Sequence, residues 1–425
     1  MAPSNPSAVV QGRLLIDPAH PPELGWLLLV DGRIAQVNLG ELPASVAPPS
    51  WGGRDRLIVP AFTDAHTHLP QSGAIGCDGM PLLEWLDRVV FPAESWWTRG
   101  RAIPDTRAAL RRMLREGAAC FAGYLTSHPE PGAEAASFIA RSPMRALVGR
   151  VAMDREAPDA LTAPDIERAR RRPISPPVLP ESLDTPRVRT SANPRFAIAC
   201  SPELLAEVGW AVRARPGMFV QTHLAESPDE CARVRHLFHV EHSYTEVYDR
   251  AGLLTDRTLL AHCVHLTASE WALLAQRRCI AVHCPTANLF LRSGFFDLDA
   301  ADAHGVRLAL GSDIAGGPDV AMPRVARAMI ETAKIRALTA PGGPASVRIP
   351  TPARAWDLIT RGNSDALGWT DAGRLEVGAL ADLLVLRVPD AWMDEFLVGR
   401  LIYGWDHSLI ETRILRAGAV NPDTI

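Results

Sequence analysis

The chain has 425 residues, 47% of them hydrophobic and 22% charged, enough for one large domain plus a smaller one around a deep core. A formal net charge of −4 gives no electrostatic reason to expect nucleic acid or an anionic membrane as partner. Seven scattered cysteines with no C-x-x-C pair argue against a disulfide framework or a cysteine zinc site and for a reducing, cytoplasmic setting.

The N-terminus, MAPSNPSAVV, lacks the basic and long apolar regions of a signal peptide. The apolar run Trp26 to Val30 is far too short to span a bilayer. Short apolar runs over residues 1–56, with Asp31-Gly32 between two of them, predict a small antiparallel β unit with a hairpin. Segments 379–388 and 412–420 read as strands again. The two ends, 1–56 and 370–425, are therefore expected to pair into one small β-sandwich domain.

Residues 57–369 alternate short apolar strands with segments of helical period. Eight strands are expected, at 57–64, 119–125, 145–153, 195–200, 218–223, 258–263, 279–283 and 307–311. Helical stretches lie between them, among them 107–116, 227–237, 268–276 and 323–338. That alternation predicts an α/β fold, a closed (β/α)8 TIM-type barrel. An open doubly wound sheet is the alternative, but no G-x-G-x-x-G follows an early strand. The stretch 154–194, rich in Pro and Arg, reads as one short helix and a long loop, its arginine run a solvated helix face.

The polar residues worth noting fall at expected strand ends, where barrels of this type carry their working groups. His66 and His68 share one face of an extended strand. Chance alone supplies roughly 0.4 such H-x-H triplets in a chain with 13 histidines, so the pair is weak by itself. Then come His223 with Glu226 three residues on, His262, His283 and Asp313. Three histidines and an aspartate make a mixed N/O shell suited to Zn²⁺ or Fe²⁺. A carboxylate such as Glu226 beside a metal-activated water can carry its proton. Singly, each has a plainer reading: His223 as a core histidine, Glu226 as a carboxylate at a helix start, Asp313 as a turn residue. Their joint occurrence is what those readings leave unexplained. His236, His239 and His242 have polar surroundings and are read as surface residues.

The order H-x-H, H-x-x-E, H, D resembles the amidohydrolase superfamily and, within it, the guanine deaminase family. The matching segments are DAHTHLPQ (64–71), MPLLEWLDRVVFPAE (80–94), PRFAIAC (194–200), QTHLAES (221–227), YTEVYDRAGLLTDRTLLAHC (244–263), HCPTANLFLRSGFF (283–296) and GSDIAGG (311–317), with LEVGALADLLVL (375–386) resembling the returning strand of the small domain. The resemblance implies hydrolysis of guanine to xanthine and ammonia. It implies metal ligands at His66, His68, His223 and Asp313, with Asp313 also helping to activate water. Glu226 would be the proton shuttle and His262 the group facing the attacking water. Gln71, Trp85, Arg195 and Phe196 would hold the purine, and physics supports three of these: an arginine fork reads guanine O6 and N7, a glutamine offers a donor and an acceptor to the ring edge, and a phenyl face suits a planar base.

Binuclear superfamily members bridge two metals with a carboxylated barrel lysine. The only lysine here is Lys334, which implies a mononuclear site, one Zn²⁺ per chain with Fe²⁺ possible. The resemblance also suggests a homodimer. Deamination of a related heterocycle (8-oxoguanine or a pterin) is the same-class alternative, and a non-catalytic scaffold on the same fold is the remote one. The sequence departs from the family in 154–194 and at Arg361-Gly362-Asn363, neither of which touches an expected ligand.

Overall fold

A computed structural model describes residues 7–98, 100–171, 175–239 and 243–425. Eight parallel strands form the barrel wall: β1 (Phe62–His68), β2 (Ala118–Tyr124), β3 (Arg145–Gly149), β4 (Val188–Pro194), β5 (Phe219–Leu224), β6 (Thr258–His262), β7 (Ile280–His283) and β8 (Arg307–Leu310). Hydrogen-bonded neighbours run in chain order from β1 to β8. A two-residue strand, Val151–Ala152, adds to β4. Helices follow most strands, including Ala102–Arg115, Pro228–Phe238, Ala268–Gln276 and Met322–Thr339. Among the described residues no helix is long and apolar enough to cross a membrane.

Both chain ends meet in a seven-stranded mixed sheet whose central strand is Trp51–Pro60. This corrects the expected first barrel strand. Leu57–Val59 pairs with Ala8–Leu14 and Leu383–Leu386 in the end sheet, and the barrel strand begins only at Phe62. The apolar run misleads because it is buried on both faces: Ile58 joins the end-sheet core while Leu57 and Val59 face the barrel. Asp31 and Gly32 have φ of 49° and 77°, as a two-residue hairpin turn requires.

The stretch 154–194 is also corrected. It contains the helix Asp159–Arg170 and the barrel strand Val188–Pro194, whereas the expected strand at 195–200 is a short 3-10 turn at Ala197–Ala199. Arg168 is not solvated: it pairs with Asp165 and Glu207, while Arg170 and Arg171 are exposed. Residues 172–174 of that run, and His242, lie outside the described residues. His236 and His239 are exposed.

The barrel closes between β8 and β1 with little backbone pairing. Asp313 N donates to His66 O at 2.8 Å, and Asn363 bridges the seam with its side chain. Asn363 Oδ1 accepts from Leu310 N at 2.8 Å; its Nδ2 donates to Thr63 O at 2.6 Å and Leu310 O at 2.8 Å. Gly311 makes the approach possible, since a Cβ there would stand 2.5 Å from His66 Cβ. Asn363→Ala leaves these buried backbone groups unpaired. It is expected to cost about 2–4 kcal/mol, read as a lower urea midpoint at unchanged slope.

Candidate active site

Strand periodicity turns Asp64, His66 and His68 to one face of β1, and likewise Gln221 and His223 of β5, placing these side chains in the barrel. All five are buried. Asp64 sits deepest: its Oδ1 accepts from His66 N at 3.1 Å and Ser312 N at 3.0 Å, and Ser312 Oγ donates to Oδ2. Burial pushes its carboxyl up to about 6, against those hydrogen bonds. It fixes the backbone of His66 against the residue that precedes Asp313.

His66, His68, His223 and Asp313 converge, with one donor atom from each within 4.8 Å of all the others. His68 Nε2 lies 3.2 Å from His66 Nε2 and 3.1 Å from His223 Nε2. Asp313 Oδ1 lies 3.2 Å from His66 Nε2 and 3.3 Å from His68 Nε2. Four ligands bound to one tetrahedral zinc-type ion at about 2.0–2.1 Å stand about 3.3 Å apart, so the donor set and its spacing fit a single ion. Burial holds His68 down at about 4 and His223 well below its ordinary value. For Asp313, burial raises the carboxyl, but hydrogen bonds from His66 and His68 outweigh it and hold the group well below its usual range. Neutral imidazoles and an ionised carboxylate are the forms that bind a metal. His223 Nδ1 donates to Arg195 O at 2.5 Å, which leaves Nε2 as the free lone pair.

Glu226 follows β5, beyond Ala225, which has a φ of 52°. The carboxylate capping the next helix belongs to Glu230, which forms a capping box with Ser227, so Glu226 is free for other work. Ser293 Oγ donates to Glu226 Oε1 at 3.1 Å, and Oε2 stands 3.4 Å from His262 Nε2. Burial, then the nearby Asp313 charge, pushes Glu226 up to about 8. His262 Nδ1 donates to Asn288 Oδ1 at 2.9 Å, and its buried Nε2 makes no hydrogen bond. His262 and Asp313 both hold left-handed backbone, with φ of 73° and 48°. For non-glycine residues such conformations cost roughly 1–3 kcal/mol each and gather where side chains must be aimed.

Above these groups opens a cavity of about 380 Å³, counting its mouth. Gln71 and Arg195 form its polar wall. Trp85 and Phe196 line it with Leu82, Leu86 and Leu291. The indole Nε1 of Trp85 is buried and makes no hydrogen bond. His283 is not brought in: it stacks on Phe296 at 4.6 Å, and burial holds it down at about 3.

Several functional neighbours escape a reading of spacing alone. Glu94, Asn288 and Ser293 lie in loops or helices whose side-chain direction no strand rule gives. Glu230 carried a signal, the S-x-x-E pattern at the start of a helix. Glu94 carried a weaker one, since a buried arginine requires a carboxylate partner.

An amidohydrolase family model matches residues 57–400. The guanine deaminase of Escherichia coli (strain K12) is 33% identical over 375 residues, 86% of this chain and 81% of that protein. The guanine deaminase of Homo sapiens is 30% identical over 348 residues, 80% of this chain and 75% of that protein. Among solved structures, guanine deaminase from C. acetobutylicum with guanine bound in its active site superposes with a TM-score of 0.84 at 26% identity, covering 98% of this chain and 100% of that one.

Proposed function

The chain belongs to the amidohydrolase family, and on that footing we propose how its buried residues divide the work of a hydrolytic deaminase. The reaction is conversion of guanine and water to xanthine and ammonia. The observation that carries this reading is the convergence of His66, His68, His223 and Asp313 on the floor of a cavity walled by Gln71 and Arg195.

A metal cofactor belongs at the His66, His68, His223 and Asp313 cluster, and three imidazoles with one carboxylate favour Zn²⁺, with Fe²⁺ as the other candidate. A zinc-type ion there supplies Lewis acidity that makes water acidic enough to attack as hydroxide near neutral pH.

The protein's own groups do the rest. Gln71 and Arg195 grip the heteroatom edge of guanine, and Phe196 and Trp85 give the flat ring an apolar seat. Glu226 Oε2 takes the proton of the attacking water and delivers it to ring N3 as the C2–O bond forms. Its other oxygen is engaged by Ser293, so the proton is traded on the side that faces His262. Asn288 holds His262 with Nε2 toward the attacking oxygen, which it positions. The hydroxyl added at C2 then passes its proton through Glu226 to the exocyclic nitrogen, the C2–N bond breaks as C2 becomes a carbonyl, and ammonia leaves. The seven cysteines are all free, which fits the reducing cytoplasm.

Ammonia release from a panel of guanine, 8-oxoguanine and a pterin tests the substrate. Guanine is expected to give a kcat/KM at least about tenfold above the others, because the polar wall matches its edge. Negligible ammonia from guanine would overturn the reading.

A further inference from the structure

Behind the polar wall lies a carboxylate that is not among the residues lining the cavity. Glu94 lies in the last turn of the helical run Leu82–Ser95, which widens by one residue at Leu86–Val90, where Phe91 N donates to Leu86 O. That wider turn makes room for Pro92, which has no N–H to give. Glu94 is 1% exposed. Its Oε1 accepts from Gln71 Nε2 at 2.9 Å and its Oε2 from Arg195 Nη1 at 2.5 Å. Among the described residues it is the only carboxylate in ion-pair contact with Arg195.

Two consequences follow from this geometry. An ionised carboxylate only accepts hydrogen bonds, so Glu94 dictates which end of the Gln71 amide is the NH₂. Ala315 N, donating to Gln71 Oε1 at 3.3 Å, holds the same orientation. One Nε2 hydrogen of Gln71 and the remaining donors of the guanidinium are left for a ligand. In addition, the Arg195 charge is cancelled before any ligand arrives, so the wall offers donors without net charge. In a buried site, where a lone charge acts strongly, that difference decides between a neutral ring and its anion.

Building on the guanine reading above, we propose that Glu94 is a positioning residue that makes the cavity select a neutral purine over a purine anion. The substrate base is neutral at physiological pH, whereas the product carries a second ring carbonyl and ionises more readily. With Glu94 in place, Arg195 gives the product anion no net charge to bind, which favours its release.

The test uses the metal-loaded protein and two purines without an exocyclic amine, so neither is consumed: urate, an anion at neutral pH, and hypoxanthine, which is neutral. Their dissociation constants are measured by calorimetry. Glu94→Gln unmasks the Arg195 charge and is expected to shift the urate-to-hypoxanthine affinity ratio toward urate by at least about tenfold. Arg195→Met leaves the Glu94 carboxylate alone and is expected to shift the ratio the other way, so the test stands even if Glu94→Gln does not fold. A merely structural Glu94 would weaken both ligands equally, and an unchanged ratio in both variants would overturn the proposal. A wild-type protein that deaminates guanine while the variants keep its ratio fails this inference alone; a wild type that binds no purine fails the guanine reading and this inference with it.

Discussion

Glu226→Gln is expected to keep the metal and lower kcat on guanine by about 10³-fold or more, because glutamine fills the same space but can neither take nor deliver the proton. Metal content measured on the same sample separates this from loss of the site; a rate within tenfold of wild type would make Glu226 merely structural. The same substitution has a consequence for stability. Burial and the Asp313 charge raise the folded-state pKa from the ordinary 4.5 to about 8. Ionising Glu226 inside the fold is therefore unfavourable, a cost that grows as pH rises above about 4.5 and is complete above about 8. Metal-free Glu226→Gln should match metal-free wild type in thermal stability near pH 4.5 and exceed it at pH 8. A variant less stable than wild type at pH 8 would contradict the burial argument. A variant more stable than wild type at pH 8 marks the site as one where function is maintained against stability.

His223→Ala is the second large effect. His223 is within hydrogen-bonding distance of His68 through Nε2 and is oriented through Nδ1 by Arg195 O, so its loss opens the donor set and frees the backbone at the purine wall. Turnover is expected to fall by at least about 10³-fold, and metal affinity with it. The companion measurement is metal-dependent melting. At an ion concentration about 100 times its Kd, wild type should gain about 2.7 kcal/mol, and the variant should gain nothing at that concentration. Equal stabilisation of both proteins would remove His223 from the metal site.

The parts of this architecture legible in the sequence are those governed by short periods. The H-x-H pair needed only the two-residue repeat of a strand, and the Asp31-Gly32 hairpin only turn chemistry. Strand placement failed where local patterns and tertiary context disagree. Leu57–Val59 reads as a barrel strand because both its faces are buried, yet its partners lie in the end sheet. The true fourth strand, VRTSANP, was hidden by its polar interior. Ser191 and Asn193 are buried there, satisfied by each other, by Gln221 and by Gly123 O, contacts that arise only once the barrel closes. Asn363 belongs to the same class: at the sequence level it was a departure from pattern, and in the fold its amide bridges β8 to β1. Glu94 shows the limit most clearly. Its two partners stand 23 and 101 residues away, a separation that no local period encodes.

The central claim is that one ion, held by His66, His68, His223 and Asp313, and the proton carrier Glu226 together deaminate guanine. The most direct measurement titrates metal-free protein with Zn²⁺ while following ammonia and xanthine formed from guanine. The account predicts that the rate rises in step with bound metal and levels off at about one ion per chain, with ammonia and xanthine produced in equal amounts. Full activity in metal-free protein, or a rate that climbs only beyond one ion per chain, would contradict it.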